Sequence, residues 1–91
     1  MEDLTHILDN IRNSNNELLL RGLSQLTRQD LERLEQRAAA ATELQMDYLA
    51  ELLNQLGEEG SKLMLGGGDE VRLHRLFLRL CQYVRLAEES A

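Results

Sequence analysis

The chain has 91 residues, carries a formal net charge of −6 and contains no proline, one cysteine and 3% aromatic residues. That length allows one domain, residues 1–91. The acidity disfavours non-specific attachment to nucleic acid or anionic membranes, and a lone cysteine excludes an internal disulfide. Leucine occurs 21 times, while valine and isoleucine together occur four times. Strands draw on β-branched and aromatic side chains, so the composition predicts an all-α fold.

The N-terminal segment carries Leu4, Ile7, Leu8, Ile11, Leu18, Leu19, Leu20, Leu23 and Leu26 around a polar knot, Asn13-Ser14-Asn15-Asn16. Asn and Ser favour turns and caps, which argues for a break with Asn16 capping a second short helix. The apolar phase nevertheless survives across the knot, which argues for one helix from about Asp3 to Arg21 with Asn15 facing inward. A single inward Asn can fix the register of packed helices at a cost in stability. Both readings stand at this point.

Thr27 followed by Asp30 reads as a helix start, because the hydroxyl accepts first-turn N–H groups and the carboxylate suits the positive end of the helix dipole. From there Leu31, Leu34, Ala38, Ala41, Leu44, Tyr48, Leu49, Leu52 and Leu56 keep one face of a 3.6-residue period. No breaker intervenes before Gly57. The spacing predicts a single helix over 27–56, roughly 45 Å long. A compact globule of this chain length has a radius of gyration of only about 12 Å. Such a rod needs neighbouring helices, from this chain or a second copy, and a second stripe through Ala39, Met46, Ala50 and Leu53 asks for two of them.

Gly57 to Gly60 and Gly66 to Gly68 bracket Leu63, Met64 and Leu65. Glycine at both ends predicts a flexible loop over 57–68. Its apolar centre either caps the end of the core or docks into a partner. A last helix begins near Asp69, with a core face of Leu73, Leu76, Phe77, Leu80, Tyr83, Val84 and Ala87. Val71 and Leu78 lie on the opposite face, more apolar surface than a helix covered on one side needs. The expected architecture is an elongated three-helix antiparallel bundle, with helices near 3–24, 28–56 and 69–88, completed by oligomerisation.

Chemistry-bearing motifs are sparse. His6 and His74 sit on different helices, and Glu70–His74 and His74–Cys81 spacings fall short of the four ligands of a structural zinc site. The triple glycine lacks the Lys-Ser/Thr ending of a phosphate loop. No catalytic, cofactor or metal residues are expected. Arg72, Arg75 and Arg79 form a one-sided stripe that could follow a phosphate backbone as a dimer. The competing expectation is a salt-bridge seam against Glu35, Glu43, Asp47 and Glu51. Three basic and eight acidic residues between Arg28 and Glu59 give that stretch a charge of −5, which favours the seam.

The function expected from these features is a non-catalytic protein–protein interaction module, an acidic adaptor, chaperone or inhibitor-type regulator. Its partners are a helical segment of another protein and further copies of itself. Its candidate contact residues are Met46, Leu53, Leu63, Met64, Leu65, Val71 and Leu78. Nucleic-acid binding through Arg72, Arg75 and Arg79 is the alternative. Neither a secretory signal nor a membrane span is visible, so a cytoplasmic setting is expected.

Overall fold

The structure is a computed structural model that describes residues 4–90. Four α-helices, and no strands among the described residues, make up the fold: α1 (Leu4–Arg21), α2 (Arg28–Glu43), α3 (Asp47–Met64) and α4 (Glu70–Ser90), with one 3₁₀ turn at Leu23–Gln25. Each helix packs on the next along the chain, and α4 closes back on α1. This is the neighbour order of an up-and-down four-helix bundle. The molecule measures 38 × 22 × 19 Å.

The all-α expectation holds, and the three-helix count does not. The rod expected over 27–56 folds back on itself at Leu44-Gln45-Met46. No glycine or proline marks this point. The helix ends instead in a Schellman motif, in which the Met46 N–H donates to the Ala41 carbonyl at 2.9 Å and the Gln45 N–H to the Thr42 carbonyl at 3.0 Å. Gln45 takes the left-handed position that glycine normally fills, at φ 61°. What drives the turn is burial. Folded back, Leu34, Ala38 and Ala41 of α2 share one core with Leu49, Leu52, Leu53 and Leu56 of α3. The two stripes thus shield each other, and the length of the rod no longer calls for a second copy. A left-handed non-glycine residue costs roughly 1 kcal/mol. Gln45→Gly is therefore expected to stabilise the protein by about 0.5–1 kcal/mol, read as a raised urea midpoint at unchanged slope.

The predicted flexible loop over 57–68 is helical as far as Met64. Gly57 and Gly60 lie inside α3. A Cβ at Gly60 would come within 2.9 Å of Leu31 Cδ2 and 3.0 Å of Leu26 Cδ1. Here glycine serves close helix approach, and the surrounding Leu, Glu, Lys and Met sustain the helix. The real connection is residues 65–69. It opens with the same hydrogen-bond pattern as the 44–46 turn, with Gly66 at φ 93° in the left-handed position.

α1 runs unbroken through the Asn knot, and Asn15 points inward at 4% exposure. The predicted start at Asp3 lies outside the described residues. Arg21 ends α1 and binds Asp30 at 2.8 Å, tying α1 to the first turn of α2. Asp30 also completes the capping box expected at Thr27: its carboxylate accepts the Thr27 N–H at 2.9 Å, and the Thr27 hydroxyl accepts the Asp30 N–H at 3.1 Å. Burial alone would raise the Asp30 carboxyl, but hydrogen bonds with Arg21 and Thr27 outweigh it and hold the group below its ordinary value. A depressed folded value means that the stabilisation is complete above the unfolded value and is lost as pH falls through the folded one. The stability advantage over Asp30→Asn, about 1 kcal/mol at neutral pH, should vanish along that acid limb in urea titrations.

Candidate interaction surface

α4 presents two unlike faces. Leu73, Leu76, Phe77, Leu80 and Val84 recur at steps of three and four and are buried against the rest of the bundle. The same spacing forces Val71, Leu78 and Leu86 outward, and Leu78 is 63% exposed. Arg75 and Arg79 stand beside them, both exposed. Among the described residues, no carboxylate lies within ion-pair distance of either. The outer face of α4 is thus an apolar row set in unneutralised guanidinium groups.

Arg72 behaves differently. Its Nε lies 3.0 Å from Glu59 Oε1, and Glu59 is almost fully buried. The other Glu59 oxygen accepts the Asp69 N–H at 2.8 Å, while Asp69 caps α4 by accepting the Val71 N–H at 2.9 Å. One buried carboxylate therefore fastens the 65–69 connection and the start of α4 to α3. Glu59 belongs to none of the carboxylates expected to form the seam. The seam partners Glu35, Glu43, Asp47 and Glu51 make no ion pair with the α4 arginines.

The other expected contact residues divide. Leu53 is 1% exposed and belongs to the core. Met46 packs against that core as the apolar residue closing the Schellman turn, and Leu63 is likewise partly buried there. These three are therefore corrected from outward contact residues to packing residues, because the fold-back at Gln45 and the extension of α3 put the two stripes inside. Met64 and Leu65 remain exposed at the end of α3, as do Val71 and Leu78 on α4. Tyr48, read as a core position, is 54% exposed, and its ring meets Tyr83 of α4 at 5.5 Å between centroids. The sequence reading missed Leu19 and Leu20, the latter 89% exposed. Three consecutive leucines were the available signal, since a helix with one covered face cannot bury all of them.

Two grooves lie between pairs of helices. Between α2 and α3 a groove of about 660 Å³ has Leu31, Leu53 and Gly57 at its floor. Glu32, Glu35 and Glu58 stand along it, with Arg28 and Lys62 also on its border. Between α1 and α4 a second groove, of about 480 Å³, is lined by Asn15, Leu19, Cys81 and Val84. The Asn15 amide nitrogen finds no hydrogen-bond partner there. Burial pushes the Cys81 thiol up, away from the reactive thiolate. His74 engages the backbone carbonyl of Glu70 rather than its carboxylate. Among the described residues, no group of three His, Cys, Asp or Glu side chains comes together as metal ligands do, and no helix is long and apolar enough to cross a membrane.

Comparison of the chain with protein-family models, with curated proteins and with solved structures finds no match.

Proposed function

We propose that this chain is a non-catalytic interaction module, an acidic adaptor, chaperone or regulator, that receives a helical segment of a partner protein on the outer face of α4. The exposure of Val71, Leu78 and Leu86 opposite a fully packed core face carries this reading. These three outward side chains add little to the bundle, and covering them removes apolar surface from water at about 25 cal/mol per Å². The arginines alongside favour a partner helix with carboxylates flanking its apolar row.

Site-specific photo-crosslinking tests it. A photoreactive residue at Leu78 should yield a discrete protein adduct in cells, and one at the exposed Asn13 on α1 should not. Leu78→Asp should leave helicity and melting within about 0.5 kcal/mol of the parent and should lower the affinity for the captured partner about tenfold or more. Absence of any adduct from Leu78 would remove the reading. Arg75 and Arg79, free of carboxylates among the described residues, support a second reading as a contact to a phosphate backbone. Salt-dependent affinity for duplex DNA or RNA, lost in Arg75→Glu/Arg79→Glu, is its signature.

A further inference from the structure

We propose that the outer face of α4 docks into the α2–α3 groove of a second copy of this chain, in a head-to-tail contact. The inference rests on the interaction-module reading and supplies that module with one definite partner. The two surfaces are complementary in kind. α4 offers an apolar row, Val71 and Leu78, bordered by Arg75 and Arg79. The groove offers a floor of the partly buried Leu31 and Gly57, bordered by Glu32, Glu35 and Glu58. Because α2 and α3 run antiparallel, Arg28 at the start of α2 and Lys62 near the end of α3 stand together at one end of the groove. The carboxylates occupy the rest. Arginines spaced one helical turn apart meet carboxylates spaced three residues apart, and both sets are exposed.

The symmetric alternative is disfavoured by the same charges. Pairing α4 with α4 about a two-fold axis through Leu78 brings Arg79 of one copy beside Arg75 and Arg79 of the other, with no carboxylate between them. Like charges across an interface select against that arrangement. The head-to-tail contact instead sets basic against acidic. Each such contact leaves the groove of one copy and the α4 face of the other unused, so growth continues into a ring or an open chain. A chain of −6 repels itself at long range, so the contact is expected to be weak and to depend on salt.

The test mixes two variants, each spoiled on one surface. Leu78→Asp retains the groove, and Glu32→Arg/Glu35→Arg retains the α4 face; the two spoiled surfaces both carry arginines and do not pair with each other. Light scattering behind size exclusion should show the parent protein growing in mass with concentration, and losing that growth in high salt. Each variant alone should be monomeric, and their equimolar mixture should form a capped dimer of twice the monomer mass that grows no further. All changed residues are exposed, and circular dichroism of each variant confirms folding. A mixture that stays monomeric overturns the inference, as does either variant associating as the parent does. A monomeric parent whose Leu78 crosslinks to a different protein also overturns it, while leaving the interaction-module reading in place. A monomeric parent with no adduct at Leu78 removes both.

Discussion

Leu49→Asp is expected to leave the chain largely unfolded at room temperature. Leu49 is completely enclosed, at the start of α3 where the two stripes first face each other. A carboxylate at that position finds no cation and no donor placed to receive it. Leaving a buried charge uncompensated costs about 3–5 kcal/mol, on top of the lost packing of a leucine. A domain of this size has roughly 5–14 kcal/mol of stability in total, so the single change removes a large share of it. Far-ultraviolet circular dichroism and urea titration give the readout. Leu49→Met, which keeps volume and polarity, should cost less than about 1.5 kcal/mol. Native-like helicity and melting in Leu49→Asp would mean that α3 does not present this face to the core.

The second large effect is expected at Glu59. Removing its side chain takes the acceptor from the Asp69 N–H and the partner from Arg72 at once. Glu59→Ala should cost about 2–3 kcal/mol, most of it for the stranded backbone donor and the void beneath the 65–69 connection. Glu59→Gln keeps an acceptor of the same shape and should recover about half. Arg72→Ala leaves the enclosed carboxylate with the Asp69 N–H alone, so it should cost more than an exposed arginine ordinarily does. In a double-mutant cycle, Arg72→Ala added to Glu59→Gln should cost clearly less than Arg72→Ala alone. Additive effects would show that the ion pair contributes nothing beyond its separate members.

Much of this bundle was legible in the residues. Thr27 and Asp30 mark the start of α2, because a capping box is a local device whose parts sit within one turn. Apolar phase across the polar knot favoured an inward Asn15, while the turn propensity of Asn and Ser kept a break there equally open until the structure showed one helix. The inward row of α4 is equally plain, and its surplus of Val71 and Leu78 survives as exposed surface. The turn at Gln45 was not legible. Leu44-Gln45-Met46 has good helix propensity, and only the mutual burial of stripes many residues apart favours bending there. Gly57 and Gly60 misled for the converse reason. Glycine marks both chain reversal and close helix approach, and the sequence does not say which until Leu26 and Leu31 are found against Gly60. The error over Leu53 and Met46 descends from the missed turn, since a stripe on a straight rod faces outward and the same stripe on a hairpin faces in. Glu59 was hidden because its partners lie 10 and 13 residues further on, across a connection the sequence placed elsewhere.

The order in which the helices lean on one another bears on how the chain finds its native state. α1 meets α2, α2 meets α3 and α3 meets α4, each across a short connection. Such local topologies demand little search, and helical bundles of this kind fold in microseconds to milliseconds. Among the described residues, the seam between α1 and α4 joins widely separated stretches, as Arg12 and Glu88 do across 76 positions. Closing that seam carries a larger ring-closure entropy than pairing neighbouring helices, so it is expected to form late and to open early, with hydrogen exchange as the readout.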